Sequence, residues 1–215
     1  MLVSEVLDFS AKGEIKQLSV AKIADTDIDH IDNIATLISY LNLGLIALYK
    51  KFALLEVTNP LTNVVDGASY AMPDTYLYTL YVRAVVDGQP DAKPDIPIND
   101  EFSDFNFYEP SPFVLQVTKD DDKYSNITSA NQVYVATPTL MVDVGDTVPL
   151  AHQYIDPLLL YMAHKAHSSL PNNENAPNHN NFYSRYLGAC NEITTRGIHT
   201  ENHSSNYKLT ARGYA

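Results

Sequence analysis

His164-Lys165-Ala166-His167 places two imidazoles at i and i+3, where they share a helix face and could grip a transition metal. A metal-dependent hydrolase built on His164 and His167 also needs a third ligand and a general base. His152, His179 and Glu174 are the residues on hand, and all three sit in loop-like sequence without a ligand pattern. The competing reading is a histidine pair on the surface or at an interface. Asp25-Thr26-Asp27-Ile28-Asp29 copies the first three ligand positions of a calcium-binding EF-hand loop. The match then fails, because His30 stands at the turn glycine's position and Thr36 at that of the closing glutamate, so helix-capping acids explain the cluster better. Asn126-Ile127-Thr128 and Asn202-His203-Ser204 fit the glycosylation pattern and read as chance. The sequence has no phosphate-cradling glycine loop, no GxSxG elbow and no paired-cysteine zinc pattern. Chemistry-bearing residues therefore assemble no catalytic signature, and no metal or cofactor is expected.

The charge balance points the same way for nucleic acid. With 14 Lys and Arg against 26 Asp and Glu, the chain carries a formal net charge of −12 and repels phosphate backbones, which excludes tight sequence-specific binding. The lone cysteine, Cys190, has no partner for an intramolecular disulfide and reads as a small buried hydrophobe. The acidic first residues do not resemble a signal peptide, and no membrane span is expected.

These residues must be positioned by an α+β fold: a helical core with an inserted antiparallel β-rich domain and an extended C-terminal tail. Leu2, Val6 and Phe9 predict a short first helix ending near Gly13. Asp32 is the expected N-cap of a longer one, in which Ile34, Leu37, Ile38, Leu41, Leu45, Leu48, Tyr49 and Phe52 form a wide apolar stripe. Residues 1–53 are the N-terminal part of the core. From 54 to 150 the period shifts to strands and turns, with Asn59-Pro60 and Asp66-Gly67 as turn chemistry and strands expected at 76–86, 113–117, 132–136 and 140–144. Four to seven such strands make a small sandwich or barrel, and a binding module there, for carbohydrate, is an alternative function. Residues 151–198 form a helical hairpin that completes the core. Asp156 and Pro157 open its first helix, in which Leu158, Leu159, Met162, Ala163 and Ala166 are the buried face. The Asn- and Pro-rich stretch 171–181 is an exposed loop, and Phe182, Tyr186, Cys190 and Ile193 repeat along the second helix to Gly197. Residues 199–215 are a polar tail in which Tyr207, Leu209 and Tyr214 are the apolar anchors.

The early helix with Asn42-Leu43-Gly44-Leu45-Ile46-Ala47-Leu48-Tyr49-Lys50-Lys51-Phe52, the entry Asp156-Pro157-Leu158 continuing to Tyr161-Met162-Ala163-His164-Lys165-Ala166-His167, and Asn181-Phe182-Tyr183-Ser184-Arg185-Tyr186-Leu187 resemble the head-to-tail adaptor (connector, or head-completion) proteins of tailed bacteriophages. The resemblance covers most of the chain as a pattern of elements.

It implies a structural virion protein rather than an enzyme. The expected assembly is a homo-oligomeric ring, usually twelvefold, below the portal protein and above the tail tube, nozzle or other neck proteins. Genomic DNA passes through without specific binding, and a channel rich in carboxylates suits a sliding polyanion. The implied location is the neck of the virion, after assembly in the host cytoplasm, with no membrane partner. The tail is basic in contrast to the body, with Arg196, Lys208 and Arg212 against Glu201. Tyr207, Lys208, Leu209, Arg212 and Tyr214 are the expected portal-docking residues. Leu41, Leu45, Leu48, Phe52, Leu159, Met162, Phe182 and Tyr186 are the expected helical core or interface. Loops near 60–70 and 119–126 are expected to meet neighbouring subunits or the next tail protein.

Overall fold

Leu37, Leu41, Leu45 and Leu48 recur at three- and four-residue intervals along helix α2 (His30–Phe52), and all four are fully buried. The computed structural model that places them describes residues 1–24, 29–86, 94–168 and 176–197, with the side chains of 176–180 excepted. Two units emerge. One joins Met1–Phe52 to Pro138–Ala215; the other is Ala53–Thr137.

In the first unit, α1 (Val3–Lys12) starts where Glu5 Oε2 accepts the backbone N–H of Leu2 at 2.7 Å, satisfying one of the donors a helix start leaves unpaired. It stops at Gly13, whose Cβ, if present, would stand 2.9 Å from the Phe9 carbonyl oxygen. Helix α2 begins at His30, ahead of Asp32, so Asp32 lies in its first turn and complements the helix dipole there instead of capping it. The helix is long and apolar enough by composition to cross a membrane, contrary to the expectation that no run approaches that length. Its leucine stripe packs instead against α1 and against α3 (Ile155–Ser168). α3 starts just ahead of Asp156, after a short 3-10 turn at His152–Tyr154. Phe52 and Tyr154 meet with ring centroids 5.1 Å apart.

Helix α4 (Ala176–Thr195) begins inside the stretch read from sequence as loop. Pro177 is in its first turn, where a missing N–H costs nothing, so the asparagines behind it can propagate a helix. Gly197 follows it with φ +64, a left-handed position that favours glycine.

The second unit is a pair of antiparallel sheets around one apolar core. One sheet has the order β1-β7-β3-β4, from β1 (Glu56–Thr62), β3 (Tyr76–Val86), β4 (Asp95–Ile96) and β7 (Ile127–Ala136). The other has the order β2-β6-β5, from β2 (Ser69–Ala71), β5 (Phe105–Ser111) and β6 (Val114–Lys119). Val82, Phe107, Leu115 and Val117, fully buried, lie in the core between them. Asn59-Pro60, read as a turn, is inside β1, with Pro60 opposite Asn131. β1 is an edge strand, where a residue lacking its N–H is tolerated.

Residues 140–144, expected as a strand, pair with side chains instead. Asn42 Nδ2 donates to the Met141 carbonyl at 2.9 Å, and Asn42 Oδ1 accepts the Met141 N–H at 2.8 Å. Asp146 Oδ2 accepts the N–H groups of Val142 and Asp143 at 2.8 and 2.9 Å. With those groups satisfied, no ladder forms. The segment runs beside the N-terminus, where Val3 N–H donates to Asp146 O and Ser4 N–H to Val144 O, so the chain from Pro138 on belongs to the helical unit and the β unit ends at Thr137 rather than 150.

Candidate functional site

The two histidines singled out for metal chemistry are buried, not on the surface: His164 is 8% and His167 9% exposed. Both lie in a row of rings where α3 meets α4. His167 stacks on Phe182 at 4.8 Å, His164 contacts Tyr183 at 4.9 Å, and Tyr161 meets Tyr186 edge-on at 5.2 Å. Such pairs add about 0.5–1.5 kcal/mol each beyond the area they bury. His167 Nε2 is 3.3 Å from the Glu14 carbonyl oxygen, an atom that only accepts, so Nε2 carries the proton. Nδ1 is buried without a hydrogen-bond partner. The same ring and Phe182 border a cavity of about 540 Å³ with Gly13, Glu14, Lys16, Gln17 and Leu18.

Among the described residues, no three His, Cys, Asp or Glu side chains converge as a metal site. His152 is exposed on its 3-10 turn, the side chain of His179 is outside the described residues, and so is Glu174. The stack on Phe182 and the contact with the Glu14 carbonyl hold the His167 ring in the helix packing. Burial also raises the pKa of the Cys190 thiol and, with Cys190 beside it, that of the Tyr186 phenol.

Of the residues expected to form the core or interface, Leu41, Leu45, Leu48, Phe52, Met162, Phe182 and Tyr186 are buried. Leu159 is half-buried, and Leu160 takes the buried place. α3 is packed by α1, α2 and α4 together, so its buried arc is wider than a single stripe. Tyr207, Lys208, Leu209, Arg212 and Tyr214 lie outside the described residues, as do Asp25 and Asp27.

In the β unit, the structure assembles two polar groupings that sequence inspection passed over. Asn59 Nδ2 donates to Gln132 Oε1 at 3.2 Å, Gln132 Nε2 donates to Thr79 Oγ1 at 2.9 Å, and the Thr79 hydroxyl donates to Glu109 Oε1 at 2.9 Å. The Tyr76 hydroxyl donates to the same Glu109 oxygen. This chain of bonds runs from β1 through β7 and β3 to β5, tying one sheet to the other. Burial, then the bond to Glu109, pushes the Tyr76 phenol up to about 12. Beside it, Tyr76, Glu109, Ser111 and Phe113 border a hollow of about 420 Å³.

The second grouping centres on Lys119, a lysine only 5% exposed. Its Nζ donates to the carbonyls of Val64 at 2.8 Å and Ile127 at 2.9 Å and pairs with Asp121 at 3.0 Å. Asp66 Oδ1 accepts the Lys119 N–H, and Asp121 accepts the N–H of Asp66. The loops near 60–70 and 119–126 are thus fastened to each other. A signal for this existed: Leu115, Val117 and Lys119 alternate inward along β6, so residue 119 belongs to the inner face.

Residues 11–204 match the family described as SU10 adaptor protein, and the chain belongs to that family. No curated protein matches it. The family is one of phage adaptors, which makes this a structural component of a phage virion at the head–tail junction, in contact with other head and tail proteins.

Proposed function

We propose that the protein assembles as a closed homo-oligomeric ring, twelvefold in the usual adaptor form, between the portal above and the tail tube or nozzle below, with the genome passing through its centre. The family match over residues 11–204 carries this reading. The acidic balance supports it, since a net charge of −12 gives DNA no cationic grip and lets it slide. The C-terminal segment acts as the docking arm. Tyr207, Leu209 and Tyr214 are its apolar anchors and Lys208 and Arg212 its cations, in a segment whose composition folds by binding. The helical unit forms the body of the ring, and assembly takes place in the host cytoplasm.

Cryo-electron microscopy of the full chain mixed with the portal protein of the same phage tests this. A coaxial ring bound below the portal is the expected image. A chain that never joins portal rings overturns the proposal.

A further inference from the structure

Phe113 is held where a phenylalanine is costly. Ser111 pairs with Val114 at the tip of the β5–β6 hairpin, which leaves Pro112 and Phe113 as a two-residue turn, and Phe113 has a φ of +64°. A turn with proline first and a left-handed residue second ordinarily takes glycine or asparagine there, because a bulky side chain is strained in that conformation. The Met72 N–H, donating to the Phe113 carbonyl at 2.8 Å, pins the turn. Core burial does not explain the choice of residue, since Phe113 is 53% exposed. Strain of this kind gathers at ligand clamps and switch regions.

Phe113 walls the hollow of about 420 Å³ beside Tyr76, and the two rings meet edge-on at 6.4 Å. Pro110 and Pro112 add rigid apolar surface, and Glu109 is the charged residue that borders it. The Glu109 carboxylate is fixed from one side, because the Tyr76 and Thr79 hydroxyls both donate to Oε1. Among the described residues nothing donates to Oε2. The described cations of the β unit are already taken, Arg83 by Asp95, Lys119 by Asp121 and Lys123 by Asp104.

A rigid hollow with two aromatic rings and one open carboxylate oxygen fits a planar cation. A guanidinium lies against aromatic faces while one of its N–H groups donates to the carboxylate, and it is less strongly hydrated than an ammonium. The chain's partners are other head and tail proteins, so the cation arrives on a polypeptide. We propose that this hollow receives an arginine side chain of a neighbouring head or tail protein. Because the prolines and the two hydroxyl bonds hold the walls in place, little order has to be gained on binding. The proposal is independent of the ring reading, since it concerns one hairpin of one copy.

The test is NMR of the full chain, with phenylalanine and tyrosine rings labelled, titrated with the acetylated tripeptide Gly-Arg-Gly. The Phe113 and Tyr76 signals should shift and saturate, with a Kd on the order of 10 mM for so small a probe. The same peptide with citrulline, which keeps the plane and lacks the charge, should leave them in place. Glu109→Gln and Phe113→Gly should each remove the response. Phe113→Gly should also leave the melting temperature unchanged or raise it, because glycine relieves the turn. Wild-type signals that do not move, an equal response to citrulline, a response that survives Glu109→Gln, or a lower melting temperature in Phe113→Gly would each overturn the proposal. So would spermidine or a maltooligosaccharide binding these rings in preference to the peptide.

Discussion

Gly44 of α2 sits against Leu158 of α3 so closely that a Cβ at 44 would stand 2.6 Å from the Leu158 Cδ1 methyl and 3.4 Å from Tyr161 Cδ1. The helix tolerates glycine there because the helix crossing leaves no room for a side chain. Gly44→Ala gains about 1 kcal/mol of helix propensity and spends a comparable amount moving the end of a fully buried leucine. Its net effect should be within about 1 kcal/mol in urea unfolding. Gly44→Leu should cost about 3 kcal/mol or more. If the crossing is the cause, Gly44→Ala and Leu158→Ala will be non-additive, by at least about 0.5 kcal/mol in a double-mutant cycle.

Lys119 should dominate the β unit's polar stability. Lys119→Met leaves the Val64 and Ile127 carbonyls without the donor they share, and a loss of about 3 kcal/mol is expected in chemical denaturation. Asp121→Asn, at an exposed partner, should cost far less than Lys119→Met.

The same pair sets an acid limit. The hydrogen bond from Lys119, with the N–H of Asp66, holds the Asp121 carboxyl below the usual carboxylate value. Backbone N–H groups of Asp143 and Val142 do likewise for Asp146. A lowered folded-state pKa means stability that is fully present above the ordinary carboxylate value and lost as pH falls through the lowered one. Carboxyl titration by NMR should show both groups among the last to protonate, and Lys119→Met should move Asp121, but not Asp146, back up.

Tyr76 sets an alkaline limit by the opposite sign. Its phenol is raised to about 12, so the stabilisation is complete below the unfolded value near 10 and disappears as pH rises toward 12. Absorbance titration should show a late tyrosinate step that is absent in Tyr76→Phe and shifted down in Glu109→Gln.

For the histidine pair, zinc and chelator are both expected to leave the melting temperature unchanged. His167→Phe keeps the stack on Phe182 and removes a buried nitrogen that has no partner, so it should fall within about 1 kcal/mol of wild type, whereas His167→Ala should cost about 3 kcal/mol. A metal-dependent shift that disappears in His167→Ala would reinstate a metal site.

Truncation after His199 removes the arm proposed to hold the portal. The shortened chain should melt as the full chain does yet fail to join portal rings in electron microscopy. Joining by the truncated chain would refute the role given to Tyr207, Leu209 and Tyr214.

Local chemistry made several parts of the fold legible in the sequence. The stripe from Leu37 to Phe52, the aromatic and branched run of β3, and the repeat of Phe182, Tyr186, Cys190 and Ile193 are all periodicities that solvent imposes on amphipathic elements. Composition could not say which partner would satisfy a given backbone group. Leu140 to Val144 has the residues of a strand, yet the Asn42 amide and the Asp146 carboxylate took its hydrogen bonds. Pro60 reads as a turn until the sheet order makes β1 an edge. His164-x-x-His167 reads as a histidine pair on the surface or at an interface until α4 brings Phe182 and Tyr183 against the rings. Composition and periodicity suffice for the mixed α+β class and the acidic character, and the motifs of α2, α3 and α4 for the family. Which polar groups are buried, and what satisfies them, depends on the folded chain, because residues far apart in sequence, such as Lys119 and Val64 or Asn42 and Met141, become partners only once the core has closed.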